Sequence, residues 1–110
     1  MKGKLTCGHN DIGFDANLLK IILTIEGRLN CNFNITSGVR CEKCNKDAGG
    51  RPTSAHLTGN AVDIECPDDK TRFKIVYEAI NLGINRIGLG KNFVHIDNDK
   101  TKTKEVLWLY

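Results

Sequence analysis

Apolar positions first recur at helical spacing between residues 15 and 29. Leu18, Ile22, Ile25 and Leu29 fall every three or four residues, and Asp15 stands where an N-cap belongs. The spacing predicts a helix from Asp15 to about Leu29. Asn34–Ser37 reads as a short strand closed by Gly38, and Arg40–Lys46 as a short helix. Asp47–Thr58, rich in Gly and polar residues with one Pro, reads as a loop. The period then changes to two. In Gly59–Glu65, Val62 and Ile64 share one face while Ala61, Asp63 and Glu65 share the other. In Phe93–Asp97, Val94 and Ile96 oppose Phe93, His95 and Asp97. Between these runs, Pro67-Asp68 opens a second long helix, with Phe73, Val76, Tyr77 and Ile80 as its expected apolar stripe and Gly83 as its stop. Ile84–Leu89 and Glu105–Tyr110 read as further strands. Helices and strands mix without a βαβ rhythm, so the predicted class is α+β, a small sheet with flanking helices.

The 110 residues fit one domain spanning 1–110. A chain of this length buries about two thirds of its unfolded surface, and a bound metal would add stability to so modest a core. The net charge of +3 is too mild for the dense basic face of a nucleic-acid binder. The longest apolar stretch, Leu18–Ile25, is broken by Lys20 and Thr24 and falls short of the roughly 20 residues a membrane span needs. Met1-Lys2-Gly3-Lys4 is not followed by an apolar signal core, which predicts synthesis in the cytoplasm without a signal peptide. Five cysteines, an odd number, fit reduced thiols better than a disulfide framework.

The alternation of the two central strands brings the chemistry forward. Asp63 and His95 lie mid-strand on the faces opposite the aliphatic residues. A carboxylate there is costly unless something neutralises it. His56 lies seven residues before Asp63, in a loop long enough to fold back on it. Two imidazoles and one carboxylate form a known class of zinc site that keeps one position open. The competing reading is a loop histidine beside a hydrogen-bonded buried aspartate, and spacing alone leaves both open.

The wider pattern is more specific. Ser37-Gly38-Val39-Arg40, the Gly49-Gly50 loop, Ser54-x-His56-x-x-Gly59-x-Ala61-x-Asp63 and Phe93-Val94-His95-Ile96-Asp97 follow in order over more than half the chain. Together they resemble the M15 zinc peptidases, which cleave peptidoglycan peptides as D-alanyl-D-alanine carboxypeptidases or as L,D- or D,D-endopeptidases, some of them phage endolysins. The resemblance implies a hedgehog/DD-peptidase-like fold, Zn2+ held by His56, Asp63 and His95, and a peptidoglycan peptide as substrate. It implies that Arg40 holds a substrate oxygen near the metal and that Ser54 lies at the substrate-binding edge. A monomer is expected, with release to the cell wall through a holin if the chain is an endolysin.

One departure concerns the general base. Many relatives carry an acid three residues before the last histidine, where this chain has Asn92. Asp97 is the leading substitute, with a competing role in holding His95 in its tautomer. Glu65 is the other acid considered. The missing acid also keeps a non-catalytic zinc module, like the hedgehog signalling domain, as the rival reading.

Cys41-x-x-Cys44 has metal-ligand spacing, and Cys7-x-His9 offers two more donors for a second, structural zinc. The alternative is unliganded thiols. Cys31 and Cys66 read as small core residues. Trp108 and Tyr110 read as anchors of the last strand.

Overall fold

A computed structural model describes all residues, 1–110. The expected class holds. Six strands form one sheet in the order β1-β2-β3-β5-β4-β6, comprising β1 (Lys2–Gly3), β2 (Asn34–Ser37), β3 (Ala61–Glu65), β4 (Arg86–Leu89), β5 (Phe93–Asp97) and β6 (Val106–Leu109). The inner pairings are antiparallel, as expected of a small antiparallel sheet, but the two outermost, β1 with β2 and β4 with β6, are parallel. The sheet is therefore mixed.

Helices α1 (Ala16–Leu29) and α3 (Asp69–Asn81) pack on one face. Leu18, Ile22 and Ile25 of α1 meet Val62, Ile64, Val94 and Ile96 of the sheet and Ile75 and Ala79 of α3 in one fully buried cluster. The period-two residues of β3 and β5 that face this cluster are the aliphatic ones, so their polar alternates all point to the other side.

The apolar stripe expected on α3 is not the one that docks. Phe73, Tyr77 and Ile80 are 70%, 56% and 56% exposed. Ile75 and Ala79 are buried instead, with Val76 partly so. Phe73 and Tyr77, one helical turn apart, stack on each other in solvent.

Two local devices set the ends of α1. Asp15 caps it, accepting from Leu18 N at 3.0 Å and from the Asn98 side chain at 2.9 Å. Asn30 closes it in the left-handed conformation. Asp15→Ala should cost about 1–2 kcal/mol, since both a cap and a tertiary hydrogen bond go. The Asn98 bond, then the Leu18 N–H, hold the Asp15 carboxyl below its usual range. Its folded pKa is thus the lower one, so its contribution is present above about pH 4, the unfolded value, and is lost as pH falls through the folded one. Acid titration of thermal stability in the wild type and Asp15→Ala checks this: the two curves should converge at low pH.

Candidate metal centre

The face away from the helices carries the polar alternates of β3 and β5. Register pairs Asp63 directly with His95, so adjacent strands hold these two side chains side by side. His56 arrives from a 3-10 helix, Ala55–Thr58, that forms inside the stretch expected to be loop. Ser54 caps this turn by accepting from His56 N at 3.2 Å. Gly59, expected to start the strand, ends the turn instead at φ +78°, with Gly13 O where a Cβ would stand.

The three side chains are all buried. His56 Nε2 lies 3.4 Å and His95 Nδ1 2.9 Å from the same oxygen, Asp63 Oδ1. One donor atom from each residue falls within 4.8 Å of the others. The opposite edge of each ring is occupied. His56 Nδ1 lies 2.7 Å from Gly38 O, and His95 Nε2 lies 2.8 Å from Asp97 Oδ2. A carbonyl and a carboxylate can only accept, so these two nitrogens carry protons. Each contact with Asp63 Oδ1 then needs a positive centre between nitrogen and oxygen, either a further proton or a metal. Tetrahedral zinc with these ligands sets donor atoms about 3.3 Å apart, close to the spacing found. The donor set therefore fits a divalent metal.

Electrostatics agree with that charge distribution. Burial acts to raise the Asp63 pKa, but hydrogen bonds to His56 and His95 outweigh it and hold the carboxyl well below its usual range. Burial acts to lower the His95 pKa, yet the Asp63 and Asp97 carboxylates bring a net rise.

Arg40 reaches the centre from the turn before α2 (Glu42–Asp47), which starts two residues later than expected. Its Nε donates to Ser37 Oγ at 2.8 Å, one terminal nitrogen to Asn45 Oδ1 and the other to Asp63 Oδ2, each at 3.3 Å. Three of five N–H groups are engaged, leaving two free. Gly50 permits this, because a Cβ there would lie 2.0 Å from Asn45 Oδ1 and 3.0 Å from the Arg40 guanidinium.

Asp97 is 1% exposed. Oδ2 faces His95, while Oδ1 accepts from Arg86 Nε at 2.7 Å and Asp99 N at 3.1 Å. Burial would raise its pKa, but the His95 hydrogen bond, the Asp99 N–H and the Arg86 charge bring a net fall. It lies on the Nε2 side of His95, whereas the shared Asp63 oxygen lies on the Nδ1 side. That placement lets Asp97 orient the ring of His95. Glu65 is exposed and pairs with the Asn34 side chain at the end of β3. Ser54, besides its capping bond, lines a polar groove of about 480 Å³ with Asp15, Asn60, Asn98 and Lys102, which none of the three clustered residues lines.

Sequence reasoning missed the wall beside His95. The Trp108 ring lies 5.4 Å and the Tyr110 ring 6.2 Å from it, centroid to centroid. Gly88, paired with both His95 and Trp108, makes room, since a Cβ there would lie 2.6 Å from Trp108 Nε1 and from the Tyr110 ring. The parallel β4–β6 pairing places these rings, and no local signal in the tail encodes it.

No helix is long and apolar enough to cross a membrane. No curated protein matches the chain. The family model described as Peptidase M15 matches residues 2–97. With that match over most of its length and a His/Asp/His cluster at the matching motif, the chain belongs to the peptidase M15 family.

Proposed function

We propose that the chain is a zinc peptidase that hydrolyses peptidoglycan stem peptides next to a D-amino acid, and that it acts as an endolysin of phage or prophage type. The observation that carries the reading is the pair of imidazoles whose outer nitrogens face fixed acceptor oxygens while both inner nitrogens converge on one carboxylate oxygen. His56 Nε2, Asp63 Oδ1 and His95 Nδ1 would hold the metal. Zinc bound there supplies a Lewis acid and lowers the pKa of water toward about 7.

The chain's own groups do the rest. Arg40 is held by Ser37, Asn45 and Asp63, so its two remaining N–H groups are fixed in direction and serve a substrate carbonyl or carboxylate oxygen. Asp97, itself held by Arg86, keeps the proton of His95 on Nε2 and the lone pair of Nδ1 turned inward. Trp108 and Tyr110 stand beside the ring of His95 and present an aromatic surface next to the metal centre.

Arg40→Lys keeps the charge and loses the fork. Turnover should fall about 100-fold, with zinc content unchanged, because one lysine cannot meet Ser37, Asn45 and Asp63 and still present donors to substrate. Paired measurements of kcat and metal content check it.

The test of the function is digestion of purified peptidoglycan, read as new amino groups and by mass spectrometry of the fragments. Release should stop with a chelator and return with Zn2+, and the fragments should end beside a D-residue. Asn92 in place of an acid, and Asp97 with all its partners met, favour one rival, a zinc-binding module of the same fold. Tight zinc binding with no release from any peptidoglycan would establish that rival and sink the peptidase.

A further inference from the structure

A second group of donors lies outside this centre. Cys7, His9, Cys41 and Cys44 each present one donor atom, and all four atoms lie within 4.8 Å of one another. His9 Nδ1 is 3.3 Å from Cys44 Sγ and 3.8 Å from Cys41 Sγ. Tetrahedral zinc with bonds of about 2.3 Å to sulfur and 2.0 Å to nitrogen sets its donors about 3.5–3.8 Å apart.

The backbone builds this arrangement from two remote segments. Thr6 bridges Val39 in parallel, and Cys7 N donates to Val39 O at 3.0 Å, which brings Cys7 beside Cys41 across 34 positions of sequence. Gly8 at φ +76° reverses the chain so that His9 turns back toward the same point. Cys41 caps α2, so Cys41 and Cys44 flank its first turn. Backbone N–H groups already point at sulfur. Cys41 N lies 3.3 Å from Cys7 Sγ, and Cys44 N 3.4 Å from Cys41 Sγ. Such bonds stabilise thiolates.

Nothing in the peptidase chemistry uses these four residues. We propose that they form a second, structural metal site, a closed Cys3His centre for Zn2+ that clamps the N-terminal segment to the turn carrying Arg40. The segment is held mainly by backbone pairing with β2 and Val39, since of residues 1–13 only Leu5 and Cys7 are even partly buried. Three thiolates this close repel one another unless a metal balances them. The clamp matters for the first centre because Arg40 directly precedes Cys41, and Arg40 N donates to His56 O at 3.0 Å.

The experiment loads the full chain, kept reduced and free of oxygen, with Co2+. Only a thiolate site gives an intense sulfur-to-cobalt charge-transfer band in the near ultraviolet, because the His/Asp/His centre has no sulfur. The wild type should take two metals per chain and show the band. His56→Ala/His95→Ala should keep the band with one metal. Cys44→Ser should lose the band and one metal while retaining the other. Two metals without the band, or one metal without it, would overturn the proposal. A Cys7–Cys41 or Cys41–Cys44 disulfide that resists treatment with a thiol reductant would do the same. One metal with the band would leave this site standing and remove the first centre, so the two claims fail separately.

Discussion

Asp63→Ala should leave a folded chain with no zinc at the His/Asp/His centre and turnover at least about 1,000-fold down. The carboxylate is the common partner of both imidazoles through Oδ1, and it holds Arg40 through Oδ2. Its loss removes one of three metal ligands together with the counter-charge that orients the arginine. Metal catalysis accounts for several kcal/mol of transition-state stabilisation, and each 1.4 kcal/mol is about a factor of ten in rate. Asp63→Asn separates the two effects, since its amide oxygen can still accept from Arg40 while the negative charge is gone. It should bind zinc weakly and remain nearly inactive. Zinc analysis beside a peptidoglycan digest decides the matter. Near-normal turnover in Asp63→Ala would mean that the reaction runs elsewhere.

The second large effect is on stability. Asp97→Ala should lower zinc affinity about 10–100-fold and destabilise the chain by about 3–5 kcal/mol. The Arg86 side chain is 12% exposed and its Nε loses its acceptor, while Asp99 N loses one too. Breaking a buried pair from one side leaves the other charge stranded, which costs more than the pair was worth. For a chain of this size the loss corresponds to a drop of roughly 15 °C in Tm. Asp97→Asn keeps an acceptor oxygen and should fall between. The orienting role and a base role predict opposite patterns. If turnover collapsed in Asp97→Asn while zinc affinity and Tm stayed at wild-type values, Asp97 would be the base after all.

The sheet was legible because period two carries a definite statement. Once Val62, Ile64, Val94 and Ile96 face the helices, Asp63 and His95 must face away together, whatever the neighbouring loops do. Helix α1 was legible for a similar reason, with one aliphatic row and a cap of known chemistry. Helix α3 was not. It carries two adjacent apolar rows, Phe73-Tyr77 and Ile75-Ala79, and periodicity cannot say which row meets the sheet. Shape decides it, since the smaller pair fits against the sheet and α1 while the rings stay in water. The contacts around Asp97 and His56 were out of reach for another reason. Asp97 meets Arg86 across a strand pairing, and His56 meets a main-chain carbonyl that belongs to a turn 18 residues earlier. Arg86 carries no sequence mark that distinguishes it from its neighbours, and the motif that marks Gly38 does not reveal where its carbonyl points. The rings of Trp108 and Tyr110 reach His95 only because residue 88 has no side chain, and that too is a three-dimensional fact.

The two imidazoles differ in what fixes their protons. His95 answers to a side chain, Asp97, which can be exchanged for a weaker or neutral acceptor. His56 answers to the peptide oxygen of Gly38, which no substitution at that position can remove, and Gly38 is itself pressed against Leu5 O, 2.2 Å from where its Cβ would stand. Attempts to retune the site for a softer or harder ion will therefore find one adjustable ligand and one locked ligand. Selection experiments on metal preference should gather their changes around β4 and β5 and leave the Gly38 turn untouched.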